Sequence, residues 1–249
     1  MGSALIAGWR RAGAFDPSEL MVRDPTAGPE LAASGIKIGP SAAEIGQART
    51  VVLVVKPQGW REAAEIAADL AADAVIVSIC AGVATADIAA AFGARKVARV
   101  MPTTASAVGQ GTTSIYAADR EARARAHALF APVGTVVDLP DEDLLHAATG
   151  VSGSAPAYFY AFVEALADAG VAAGLSREQA SALARATMAG AAALMASSDA
   201  NPADLRRQVT SPGGTTEAAL KALLGEGGLG PLLEAAVKAA TERSRELGK

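Results

Sequence analysis

The residues best equipped for chemistry lie late in the chain, in Val209-Thr210-Ser211-Pro212-Gly213-Gly214-Thr215-Thr216, with a helical pattern following at once from Glu217. Pro212 and the two glycines specify a tight turn with no side chains in the way. Ser211, Thr215 and Thr216 line it with hydroxyls. The helix behind the turn aims free backbone N–H groups and a positive dipole end into it, which suits a small anion and above all a carboxylate. An ordinary helix cap needs one hydroxyl, whereas this stretch has four hydroxyls and two glycines in eight residues. A ligand role is therefore expected for Ser211, Gly213, Gly214, Thr215 and Thr216. Asp199 and Gln208 flank the turn and read equally well as contacts to a bound ring or as solvated loop residues.

A second set sits where apolar runs end. Val54-Val55-Lys56-Pro57-Gln58 closes one such run, and Pro57 stops the strand there. Lys56 can reach a ligand at the sheet edge or stand in solvent; the pentapeptide fits both. Ser78-Ile79-Cys80-Ala81-Gly82-Val83 closes the next run, and Ala81 and Gly82 let a flat ring approach the backbone. Cys80 reads as a small buried residue, since no general base stands beside it. Arg99-Val100-Met101-Pro102-Thr103-Thr104 closes the third. In open α/β sheets these carboxyl ends are where ligands bind. Gly2 stands at the start of the first helix and Asp24 at the end of the next strand, 22 residues on. That spacing matches the last glycine and the ribose-binding carboxylate of a dinucleotide fingerprint. His127 and His146 are far apart, without acidic or cysteine neighbours at ligand spacing, so no metal site is expected.

The elements that must hold these residues fall into two halves. Residues 3–12, 61–72, 85–92 and 119–130 read as helices, and residues 20–23, 51–55, 74–79, 97–101 and 134–139 as strands. Such alternation predicts a parallel sheet covered on both faces. After Pro140 only helical periodicity remains. Phe159, Phe162, Val163, Leu166, Ala167 and Gly170 form one stripe, Ala180, Leu183, Ala184, Met188, Ala191, Leu194 and Met195 a second, and Leu232, Leu233, Ala236, Val237 and Ala240 a third. Aromatic residues are only 4% of the chain, so a thin helical layer buries these stripes poorly and a second copy is expected to cover them. The division is thus a Rossmann-like domain over residues 1–140 and an all-α dimerisation and substrate domain over residues 141–249. The net charge of −4, with no basic block, argues against nucleic acid. There is neither a long uncharged apolar run nor a signal-peptide pattern. The single cysteine fits a reducing, cytoplasmic setting.

In order and spacing, Met1-Gly2-Ser3-Ala4-Leu5, Val55-Lys56-Pro57-Gln58, residues 78–83, residues 99–102, Ser152-Gly153-Ser154-Ala155-Pro156-Ala157-Tyr158 and residues 209–216 resemble the pyrroline-5-carboxylate reductases over nearly the whole chain. The last two motifs are specific to that family; the first is shared with many nicotinamide enzymes. The resemblance implies reduction of the C=N bond of 1-pyrroline-5-carboxylate to L-proline with NADPH or NADH, the last step of proline biosynthesis. It implies a Rossmann domain, an intertwined helical dimer, and active sites drawn from both copies. It also implies that the turn holds the substrate carboxylate and that Thr216 contacts the ring nitrogen, while Gly2, Asp24, Lys56, Pro57, Ala81 and Met101 serve the cofactor.

The chain departs from the family pattern in four places. The first strand and leading glycines of the fingerprint are absent from the sequence, which opens at the helix. The neighbours of that central strand would lose backbone partners. The expectation is an upstream segment of about a dozen residues, one strand with its glycine turn; the alternative is a real loss. After Pro102 the family continues Asn-Thr-Pro, against Thr103-Thr104-Ala105 here. Ala155 replaces a glycine. Asp24 stands where NADPH-preferring members carry a small hydroxyl residue, which predicts a lean toward NADH. Two other readings stay open: a dimeric paralogue that lost cofactor binding, and a reductase of another cyclic imine.

Overall fold

In a computed structural model, residues 1–28, 31 and 33–248 are described. Their contacts form two compact units, residues 1–153 with 239–249, and residues 154–238.

The first unit is α/β. Strands β3 (Thr50–Leu53), β4 (Val75–Ser78), β5 (Val97–Pro102), β6 (Gly111–Tyr116) and β7 (Gly134–Asp138) form one sheet in that order. β1 (Met21–Val22) and β2 (Lys37–Ile38) form a separate parallel pair. Among the described residues these two strands pair with each other and not with the five-stranded sheet.

β4 is buried on both faces, and its side chains alternate between two cores. Val75 and Val77 join Leu5, Trp9, Val100 and Phe130 on one face. Ile76 joins Leu53, Trp60, Ile88 and Phe92 on the other. The first core is covered by α1 (Gly2–Ala12) and α3 (Arg120–Phe130); the second holds α2 (Thr85–Ala91). α1 ends at Gly13 in the left-handed conformation. Its Trp9 donates to the Leu129 carbonyl at 2.6 Å. Gly8 lets α1 run close to the 104–108 turn, because a Cβ there would lie 2.2 Å from the Ser106 carbonyl oxygen.

The sheet differs from the sequence reading in three respects. β3, β4 and β5 are parallel, but β6 runs antiparallel to β5. The link over residues 103–110 is a short helical turn, too short for a crossover. β6 and the short β2 carry no continuous apolar run and were not expected as strands. Residues 61–72 are not one helix: Trp60–Ala63 is α-helical, Ala64–Ala68 tightens to a 3₁₀ turn, and the chain then breaks. Arg95 accounts for the break, since its guanidinium takes the carbonyls of Ala67, Leu70 and Ala71 at 2.6–3.0 Å.

α4 (Leu144–Ala148) runs into a π-helical turn at Thr149–Gly153, a feature often found at functional sites. The second unit is helical: α5 (Ala155–Ala172), α6 (Arg177–Ala196), α7 (Pro202–Gln208) and α8 (Thr215–Leu223), with α9 (Leu229–Glu246) beginning here and ending in the first unit. A capping box of Ser176 and Gln179 starts α6. α5 and α6 pack through small residues, Ala167, Ala180 and Ala184, and Gly170 faces Ala180 where a Cβ would lie 3.1 Å from its methyl. The large side chains of the same helices stay outside: Phe159 is 57% exposed, Tyr160 70% and Leu183 56%. No described helix is long and apolar enough to cross a membrane.

Candidate active site

In the first unit the predicted residues gather at strand ends. Lys56 and Pro57 follow β3, Ala81 follows β4, and Met101 is the penultimate residue of β5; these three strands are parallel neighbours. Gly2 opens α1 beside the end of β3, with Val54 Cγ1 at 3.5 Å from the position of a Cβ. No side chain caps this helix start, and free amides at a helix start can bind an anion such as a pyrophosphate. Asp24 stands two residues past β1. The backbone N–H and hydroxyl of Thr26 both donate to its Oδ1 at 2.8 Å and hold its carboxyl below the usual range. An ionised carboxylate at that strand end fits a ribose hydroxyl.

Gly82 has φ +81, a left-handed value that favours glycine. Cys80 is buried, its thiol facing the Val55 carbonyl at 3.4 Å, and burial pushes its pKa up. It is a packing residue and not a thiolate at neutral pH.

The Thr103-Thr104-Ala105 loop is well held. Thr103 is buried, its Oγ1 accepts the Thr112 N–H at 3.0 Å, and its carbonyl accepts the Ser106 hydroxyl at 2.8 Å. Gly153 lies against Met101: a Cβ there would be 3.3 Å from Met101 Cγ. Gly153 thus touches the strand end within this unit, a contact the sequence did not reveal. Arg99, two residues before Met101, is 4% exposed and donates to Glu142 Oε1 at 3.0 Å.

The turn in the second unit follows α7. Thr210 donates its hydroxyl to the Arg206 carbonyl at 2.6 Å, and the Gly214 N–H closes a turn onto the Ser211 carbonyl at 3.0 Å. The two glycines are required for different reasons. Gly213 has φ +68, as at the third position of a type II turn. At Gly214 a Cβ would lie 2.4 Å from Ser211 Oγ and 3.0 Å from Ser211 O. Gly214 is the N-cap of α8 and brings no side-chain cap, so Thr215 and Thr216 stand in an open first turn. The Gly213 N–H donates to Glu217 Oε2 at 2.8 Å, a partner missed in the sequence although Glu217 occupies a third helical position that reaches back by rule. Gln208 closes α7 and adjoins the turn. Asp199 precedes α7, a helix of about 10 Å from end to end. Among the described residues no cluster of three or more His, Cys, Asp or Glu is placed to hold a metal.

An open α/β sheet with a glycine-opened helix and an acidic strand end, joined in sequence to an all-helical unit, defines a two-domain nicotinamide-dependent oxidoreductase. Residues 1–82 match the model described as NADP oxidoreductase, coenzyme F420-dependent, and residues 142–247 match pyrroline-5-carboxylate reductase dimerisation. A pyrroline-5-carboxylate reductase of Pseudomonas aeruginosa is 41% identical over 258 residues, covering 100% of this chain and 94% of its own. The structure of the Coxiella burnetii pyrroline-5-carboxylate reductase superposes with a TM-score of 0.90 at 32% identity, over 100% of this chain and 95% of that one. The Plasmodium falciparum pyrroline carboxylate reductase, solved with NADP bound, gives 0.85 at 28% identity over the same shares. The chain belongs to the pyrroline-5-carboxylate reductase family.

Proposed function

We propose that this protein reduces the C=N bond of 1-pyrroline-5-carboxylate to L-proline. The observation that carries this reading is the turn over residues 211–216, in which Gly213 takes a left-handed φ and Gly214 packs closely on Ser211, and which opens onto the uncapped start of α8. A substrate carboxylate is held by the Ser211 hydroxyl and by the amides of Gly213 and Thr215, where a carboxylate, that of Glu217, already accepts from Gly213; the Gly214 N–H, expected to join them, is engaged by the Ser211 carbonyl. Substrate reaching the Gly213 amide displaces Glu217. The Thr216 hydroxyl bonds the ring nitrogen, steadying the iminium before reduction and the amine after it. Gln208 and Asp199 are assigned to the rim of the same pocket.

The nicotinamide, when bound, supplies the hydride; the chain's part is geometry. Ala81 and Met101 form the floor for the ring, Gly2 and the start of α1 take the pyrophosphate, Lys56 and Pro57 flank it, and Asp24 takes the ribose. The imine enters already protonated, so the turn needs no strong acid, in keeping with its lack of histidine.

Asp24 supports a preference for NADH over NADPH, because an ionised carboxylate there repels a 2′-phosphate. The exposed apolar side chains of α5 and α6 support a homodimer. The single cysteine, buried and free, supports a reducing, cytoplasmic location. The test of the site is Thr216→Ala. It removes a bond that strengthens in the transition state by ~2–3 kcal/mol, so turnover falls about 10²-fold. Near-normal turnover removes Thr216 from the role.

A further inference from the structure

The segment just after the sheet ties three elements to one another. Glu142 Oε1 accepts from the Thr85 N–H at 2.8 Å and from Arg99 Nη1 at 3.0 Å, and its Oε2 accepts the Thr85 hydroxyl at 2.7 Å. Thr85 starts α2, three residues past Gly82, and Arg99 lies two residues before Met101. One carboxylate thus connects the chain just behind the Ala81-Gly82 turn to the strand carrying Met101. Burial raises the Glu142 pKa, but the bonds from Thr85 and Arg99 outweigh it and keep the group ionised.

The same segment grips the end of α9. Asp143 Oδ2 accepts from Arg245 Nη2 at 2.8 Å, and His146 Nδ1 lies 2.9 Å from the Oγ of Ser244, which is 3% exposed. Two residues past the end of α9, the backbone reaches the Gly82 turn itself. A Cβ on Gly82 would lie 2.5 Å from Gly248 N, and one on Gly248 would lie 2.1 Å from Gly82 O. Leu247 and Gly248 also line, with Pro57, Gln58 and Val83, a cavity of about 210 Å³. The end of α9 therefore presses on the turn from one side while Glu142 holds its far end.

We infer that Glu142 and Gly248 are positioning residues for the nicotinamide cofactor, setting the Ala81-Gly82 turn without touching the ligand. The inference rests on the reading of these strand ends as the cofactor edge. Any side chain at 248 pushes the Gly82 carbonyl out of place. Glu142→Gln keeps the shape but turns one acceptor into a donor and leaves the buried Arg99 without a carboxylate. Neither residue lies in the substrate turn.

The test uses the full-length protein and two readouts: equilibrium binding of NADH and of NADPH alone, followed by their own fluorescence, and the KM for pyrroline-5-carboxylate at saturating cofactor. Gly248→Ala and Glu142→Gln are each expected to raise the cofactor Kd about tenfold, with the imine KM within about twofold of the parent. Unchanged cofactor Kd in folded Gly248→Ala overturns the inference, as does an equal rise in Kd and KM, which signals general loosening. Should Glu142→Gln fail to fold, Gly248→Ala at its exposed position decides alone. If the parent protein binds neither cofactor, the reading of the edge itself falls, and this inference with it.

Discussion

Gly214 offers the sharpest handle on the turn proposed to hold the substrate. Its φ of −82° is open to any residue, so Gly214→Ala acts through contact alone. The new methyl would sit 2.4 Å from Ser211 Oγ and 3.0 Å from Ser211 O. The hydroxyl is the softer of the two and rotates away; the carbonyl, which accepts the Gly214 N–H, is only pressed. What is lost is therefore the Ser211 hydroxyl as a donor to the substrate carboxylate. A hydrogen bond to a charged group contributes ~1.5–3 kcal/mol, so kcat/KM falls about 10- to 150-fold. Ser211→Ala removes the same hydroxyl without the clash and loses a similar factor. If both act through one hydroxyl, the double substitution is no worse than the more damaged single, and the cycle departs from additivity by about the whole of the smaller effect. The assay is steady-state loss of nicotinamide absorbance with pyrroline-5-carboxylate as the varied substrate, with circular dichroism to show that the helices are intact. Full activity in Gly214→Ala, or a double variant whose loss is the product of the two singles, refutes the reasoning.

Three further outcomes are expected. Asp24→Ser removes the charge opposed to a 2′-phosphate, and the ratio of kcat/KM with NADH to that with NADPH falls by about tenfold or more; an unchanged ratio removes Asp24 from cofactor choice. Gly8→Ala would gain about 1 kcal/mol from helix propensity alone, but its methyl would lie 2.2 Å from Ser106 O and 2.9 Å from Val133 Cγ1, so a net loss of about 1–3 kcal/mol is expected. Urea unfolding that showed a gain would mean that α1 does not approach the 104–108 turn so closely. Acid should destabilise the first unit in two steps. His146 is held below its ordinary 6.5 by burial and by Arg99, with Asp143, Arg245 and Glu142 as the other charges around it. Its unfolded form protonates first, so stability is full above 6.5 and declines below it. Glu142, depressed below 4.5, adds a second decline beneath that value. His146→Gln abolishes the first decline in melting temperature against pH, and a profile unchanged by that substitution contradicts the assignment.

What could be read in the sequence was what depends on near neighbours. β4 was legible because a strand buried on both faces is a continuous apolar run, as Val75, Ile76 and Val77 are. The turn over residues 211–216 was legible as a turn because its glycines and proline act within eight residues. The two stripes were legible, from Val163, Ala167 and Gly170 and from Ala180 and Ala184 at helical spacing, but the packing of α5 on α6 through their small residues was not. β6 escaped notice because Thr112, Thr113 and Ser114 interrupt its apolar pattern, although Thr113 and Ser114 are buried in the sheet. The helix expected over residues 61–72 failed because Arg95, 24 to 28 residues away, takes its last carbonyls. Glu142 carried no local signal at all: its partners Arg99 and Thr85 lie 43 and 57 residues back. Ion pairs and close approaches between distant segments are set by the tertiary fold, and a periodic pattern cannot announce them.

The central claim is that this chain carries both a cofactor edge and a carboxylate-holding turn for imine reduction. It is tested most directly by incubating the protein with pyrroline-5-carboxylate and NADH or NADPH in parallel, following nicotinamide absorbance and L-proline formed. The account predicts consumption of cofactor matched one for one by proline, faster with NADH. A folded protein that binds cofactor yet forms no proline contradicts it and favours another cyclic imine as substrate. A folded protein that neither binds cofactor nor forms proline contradicts it in favour of a non-catalytic paralogue.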